Sequence, residues 1–142
     1  MRNGLIALAF VVGFGSLAAG QEPRYDKARE ITVSGPVRYV LPGTSQDGVI
    51  GVHLEVQTPT GLVRVAIGPA LFIAENNYYF FVDEHVSIVG AKAGATGEIW
   101  ARNVTKDGRT FLILRDEDGR PRWERATADD PDGCGVSHAP IR

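Results

Sequence analysis

Apolar and polar residues alternate through two stretches that meet at a turn. Val49 to Thr58 reads V-I-G-V-H-L-E-V-Q-T, Pro59-Thr60-Gly61 follows, and Leu62 to Pro69 reads L-V-R-V-A-I-G-P. A period of two over each run predicts two strands, and the turn formers between them predict a β-hairpin. The register that gathers the apolar residues sets Val56 opposite Val63, Glu55 opposite Arg64, Leu54 opposite Val65 and Val52 opposite Ile67. Val52, Leu54, Val56, Val63, Val65 and Ile67 then share a core face. His53, Glu55, Gln57, Arg64 and Ala66 share a solvent face.

The same reading carries through the rest of the chain. Ile31 to Leu41 is β-rich and broken at Gly35-Pro36, which predicts a first strand bent to serve both sides of a small barrel. Pro42 to Gly48 reads as a polar loop. Ala70 to Asn77 suits a short helix with Pro69 at its first position. Tyr78-Tyr79-Phe80-Phe81 reads as an extended aromatic connector, and His85 to Gly90 as a strand with Val86 and Ile88 on one face. A second hairpin joins Glu98–Thr105 to Thr110–Arg115 across Lys106-Asp107-Gly108-Arg109, where Asp-Gly suits a type I′ turn. With Lys106 opposite Arg109, Val104 faces Phe111, Arg102 faces Ile113 and Trp100 faces Arg115.

Five or six strands and one short helix after the third define an all-β domain over residues 31–123. That order predicts an OB-fold-like small barrel, with another small barrel or sandwich as the runner-up. The ends read differently. Arg2, the apolar run Leu5 to Val12 and the small residues Ala18-Ala19-Gly20 form a secretory signal peptide over residues 1–20, cleaved before Gln21. The apolar run is short for a membrane span, which needs about 20 residues. A lipoprotein box would need cysteine where Gln21 stands. The expected location is the periplasm or the outside, with no membrane span after cleavage. Residues 21–30 read as a mobile lead-in and residues 124–142 as a disordered acidic tail.

Charge narrows the partners. The 142-residue chain has a net charge of −2. From Asp116 onward there are 7 acidic and 4 basic residues, so the excess lies in the tail. No basic field gathers phosphates, which argues against nucleic acid as a partner. The single cysteine, Cys134, excludes an intramolecular disulfide and leaves a free thiol or an intermolecular bond.

A family resemblance rests on Val33-x-Gly35, Gly51-Val52-His53-Leu54, Ile67-Gly68-Pro69 with Phe72, and Val86-x-Ile88-x-Gly90. Ala101-Arg102 and Leu114-Arg115-Asp116-x-x-Gly119-x-Pro121-x-Trp123 continue it. Over about Ile31 to Trp123 the chain resembles secreted bacterial OB-fold proteins and is similar to the OB-like domains of magnetosome-associated proteins. The resemblance implies the fold and brings no catalytic set. Some magnetosome-associated relatives attach haem through Cys-x-x-Cys-His, a motif absent here, so no redox role is carried over.

Two residue groups are candidates for binding. OB-folds bind ligands over strands two and three, which singles out His53, Glu55, Gln57 and Arg64. The plainer reading is a solvated face with Glu55 and Arg64 as a cross-strand pair. Trp100, Arg102 and Arg115 form the second group, because arginine beside an aromatic ring holds anions, sugars or bases. The plainer reading makes Trp100 and Trp123 packing residues and pairs Arg115 with Asp116 or Asp118. Asp116-x-Asp118-Gly119 and Asp130-x-Asp132-Gly133 lack the ligand spacing of a calcium loop. Cys134 and His138 lack two further zinc ligands nearby.

No nucleophile elbow, phosphate loop or metalloprotease helix is present. The expectation is a non-enzymatic binding or assembly module without a cofactor. Its partner would be a small ligand, a glycan or a protein. The alternatives are a periplasmic redox- or metal-linked accessory protein and, disfavoured by charge, a nucleic-acid-binding OB domain.

Overall fold

The computed structural model describes residues 24–94 and 97–124. The expected signal peptide, residues 21–23 of the lead-in, the tail from residue 125, Cys134, His138 and the second acidic turn lie outside the described residues.

The residues that alternate in the sequence form the ladders. Strand β1 is Glu30–Thr44, β2 Ile50–Thr58, β3 Gly61–Gly68, β4 His85–Ala93, β5 Glu98–Lys106 and β6 Thr110–Ile113. A short α-helix, α1, is Ala70–Glu75 and follows β3 as expected. Pro69 stands at its N-cap rather than in its first turn. A single 3-10 turn, Lys27–Arg29, precedes β1. The fold is all-β, with the strands in the order β3-β2-β1-β4-β5-β6. A short parallel pairing of β3 with β5, Val65 with Ile99 and Ala66 with Trp100, closes five of them into a ring.

Strand β1 serves both sides of that ring. Its first half, Glu30 to Pro36, pairs with β4, and its second half, from Val37, pairs with β2. The change of partner falls at Gly35-Pro36. A Cβ at Gly35 would lie 1.8 Å from the Gln57 carbonyl oxygen, so only glycine lets the two backbones meet there. The polar loop expected over 42–48 is shorter. Pro42, Gly43 and Thr44 extend the ladder opposite Val52, Gly51 and Ile50.

The first hairpin has the expected register at its tip and centre: Val56 with Val63, Glu55 with Arg64, Leu54 with Val65. Beyond it, Ile67 is an extra residue on β3, so Val52 pairs with Gly68 instead of Ile67. In the second hairpin, Asp107 and Gly108 have φ of 50° and 68°, and Arg109 N–H donates to the Lys106 carbonyl at 3.0 Å. Positive φ at both central positions is what a type I′ turn demands. The strands nevertheless pair one residue out of the expected register: Lys106 with Thr110, Val104 with Leu112, Asn103 with Ile113.

Arg109 is thus an extra residue in the turn, and β5 carries a second irregularity, a bulge at Arg102. Val89 pairs with Asn103 and Gly90 with Ala101, which leaves Arg102 without a partner on β4. Its carbonyl accepts from both Leu114 N–H (2.8 Å) and Arg115 N–H (3.1 Å). The bulge switches the phase of β5, so Ile99 and Ala101 face the core on one side of it and Val104 on the other.

That core is aliphatic. Val37, Leu54, Val56, Val65, Val86, Ile88, Val104 and Leu114 are fully buried, and Ile73 of α1 plugs one end. Tyr78, from the aromatic connector, joins them. Its hydroxyl donates to the Thr110 carbonyl at 3.0 Å, and its ring meets Phe80 edge-on at 5.3 Å. Burial, then the charges of Glu84 and Asp107, push the Tyr78 phenol from 10.0 up to about 12. The folded state holds the neutral form, so this contribution is complete below pH 10 and disappears as pH rises towards 12. Denaturation curves between pH 9 and 12 should lose on the order of 2 kcal/mol from this group. Tyr78→Phe should remove that part of the slope at a cost near neutral pH of about 1 kcal/mol for the lost hydrogen bond.

Candidate functional site

The outer face of the first hairpin is not uniformly wet. At the β3 end it is covered by the start of β5 and by the loop 45–49 between β1 and β2. His53 was expected on the solvent face and is 2% exposed. Its Nε2 lies 3.3 Å from Glu98 Oε1. The other Glu98 oxygen accepts from Gln46 N–H and from Trp100 Nε1, each at 2.9 Å. One carboxylate therefore fastens the β1–β2 loop, β2 and β5 together. His53 Nδ1 has no hydrogen-bond partner among the described residues. It faces Gly43, where a Cβ would lie 2.6 Å from Nδ1 and 3.3 Å from Arg64 Nη2.

The remaining hairpin candidates sit differently. Arg64 is exposed, while Glu55 and Gln57 are half-buried. Glu55 stands directly opposite Arg64 in the ladder. The expected ion pair between them does not form, because Arg64 turns towards Gly43 and into a groove. That groove has a volume of about 760 Å³. It runs between the start of β1, the tip and first half of β3, and the facing ends of β4 and β5. Thr32, Thr44, Thr58 and Thr60 supply hydroxyls, and Arg64 and Lys92 supply positive charge. Lys92 was not among the sequence candidates. Its signal was its place near the end of β4, which matters only once the ring brings that end opposite Arg64.

The second group is brought together in part. Trp100 is buried with Ala66 and Ala93, and Tyr25 packs on them. Arg115 is 5% exposed and lies among three rings, with its guanidinium carbon 5.4 Å from Tyr25, 5.1 Å from Trp100 and 5.2 Å from Trp123. Its Nη1 donates to the Gly119 carbonyl at 3.1 Å, and its Nη2 is 3.8 Å from Asp47 Oδ2. Burial lowers its pKa, and the charge of Asp47 opposes that. The local partners considered for Arg115 are engaged elsewhere: Asp116 with Arg122 at 3.2 Å and Asp118 with Arg120 at 3.5 Å.

Arg102 does not point into this cage. It grips Glu30 through two of its three nitrogens, Nε to Oε1 and Nη2 to Oε2, the latter at 3.3 Å. Tyr25 OH donates to the same Glu30 Oε1 at 2.7 Å. Burial raises the Glu30 pKa, but the bonds from Arg102 and Tyr25 outweigh it and hold the carboxyl below its ordinary value. The bond to Glu30 raises the Arg102 pKa in turn. Tyr25 thus links the Arg102–Glu30 pair to the Arg115 cage. It comes from the segment read as a lead-in, where one aromatic in a polar stretch gave no local signal.

The MamS/MamX magnetosome protein family model matches residues 29–111, more than half of the chain. The chain belongs to the MamS/MamX family. None of the curated proteins compared with it matches. The MamS/MamX match contains every residue named in the groove, while Tyr25, Arg115 and Trp123 of the cage lie outside it. Among the described residues no helix is long and apolar enough to cross a membrane, and no three His, Cys, Asp or Glu side chains gather as a metal site.

Proposed function

We propose that this MamS/MamX protein is a non-enzymatic, OB-fold-like binding module whose ligand lies in the groove beside the first hairpin. The observation that carries the reading is the concentration of four threonines and two cations around one open groove of about 760 Å³. Ligand sites commonly take that size, with a few polar groups on apolar walls. Leu62, Val63 and Ile99 supply such walls. The β2–β3 surface and its flanking loops are also where OB-folds bind oligosaccharides and oligonucleotides, a precedent of fold and not of this chain. Export to the periplasm or beyond rests on the signal pattern of residues 1–20. The family description supports the magnetosome as the setting.

Amide shift mapping tests the reading. A panel of oligosaccharides and small polar ligands is titrated into the isotope-labelled protein. A binding ligand should shift Thr32, Thr44, Thr58, Thr60, Arg64 and Lys92 together. Shifts centred instead on Tyr25, Asp47 and Arg115 would move the site to the cage and overturn the proposal.

A further inference from the structure

We infer that the groove is selective for an acidic, hydroxylated ligand, a short oligosaccharide bearing carboxylates, with Arg64 and Lys92 as its anchors. This rests on the groove being the binding site. Glu98 is the only acid among the described groove residues. Its two oxygens are already committed to His53, Gln46 and Trp100, so they are held away from a ligand although the carboxylate keeps its charge. Arg64 and Lys92 are exposed and make no ion pair among the described residues. The groove therefore offers a ligand two cations against one carboxylate whose oxygens are already engaged.

The chemistry of the walls selects among anions. Arg64 offers a planar fork that matches a carboxylate with two parallel hydrogen bonds. Lys92 offers a mobile point charge for a second one. The hydroxyls of Thr32 and Thr44 can both donate and accept, which suits sugar hydroxyls, while that of Thr58 already donates to the Gly61 carbonyl. Leu62, Val63 and Ile99 give apolar surface for the C–H faces of sugar rings. No aromatic side chain of the described residues lines the groove, so the base-stacking platform that single-stranded nucleic acids use is missing.

Isothermal titration of the full chain with trigalacturonate and with neutral maltotriose tests the inference. Trigalacturonate should bind, with added salt weakening it, and maltotriose should bind at least about tenfold more weakly. Arg64→Gln and Lys92→Gln should each weaken trigalacturonate about tenfold, the value of one charged hydrogen bond. Both side chains are exposed, so melting temperatures should stay at the wild-type value and loss of binding is not loss of fold. Equal affinity for the two trisaccharides, or full trigalacturonate affinity in the double variant, overturns the selectivity for acid while leaving the groove as the site. Trigalacturonate binding whose amide shifts fall outside the groove overturns both readings. Failure of both trisaccharides to bind overturns the inference.

Discussion

Arg115→Ala should lower the unfolding free energy by about 3–5 kcal/mol. The loss would appear in urea denaturation as a lower midpoint with little change in slope. Arg115 holds together four separated segments: Tyr25 before β1, Asp47 between β1 and β2, Trp100 in β5, and Gly119 with Trp123 near the end of the described chain. Alanine leaves a void among three rings. The positive charge and the volume make separate contributions. Each cation–ring contact is worth about 0.5–2 kcal/mol, but the guanidinium is buried with its Nε unpartnered among the described residues and its acid at 3.8 Å. Arg115→Met fills the volume without the desolvation cost and places a sulfur against the rings. It should come within about 1 kcal/mol of the wild type. A methionine variant as weak as the alanine one would show that the charge, not the volume, holds the cage. Binding in the groove should be unchanged by Arg115→Met.

His53→Ala should cost about 2–4 kcal/mol, a loss readable in the same denaturation experiment. Arg64→Ala, on the same outer face and opposite Glu55 in the ladder, should cost less than about 0.5 kcal/mol. The contrast separates two residues that alternate to the same side. His53 lies under Gly43 and against Glu98. Removing its ring empties the space beneath β1 and takes one of the partners from Glu98, whose other bonds secure Gln46 and Trp100. A double replacement of His53 and Arg64 would therefore lose binding partly through lost fold, and only the Arg64 variant reports on the groove. Equal and small costs for both variants would contradict the burial of His53.

The first hairpin was legible because its register is fixed by apolar alternation and by a turn of two residues. Those signals are local, and they hold from Val63 to Val65 opposite Val56 to Leu54. They fail where a strand gains a residue. Ile67 and Arg102 are each one residue too many for their partner strand, and no motif in the sequence announces either. Arg109, an extra residue in the turn, and the bulge at Arg102 together account for the changed pairing of the second hairpin. The side of His53 was read correctly from its parity, but its burial depends on Glu98 and on a loop from another part of the chain. The same holds for the groove and the cage. Arg64 meets Lys92, and Arg115 meets Tyr25, only because the ring closes, and periodicity within one strand carries no information about that closure.

The closing pairs of the ring set the order in which the chain can assemble. β1, β2 and β3 pair as neighbours in sequence, and so do β4, β5 and β6. Between the two groups the strand pairings are β1 with β4 and two residue pairs of β3 with β5. Local pairings form early and distant ones late, since loop closure must precede their reward. A chain still emerging from synthesis can complete the first meander while Val33, Leu54 and Val65 lack the residues of β4 and β5 that cover them. The groove comes into existence last, because its two cations sit on opposite sides of that final seam.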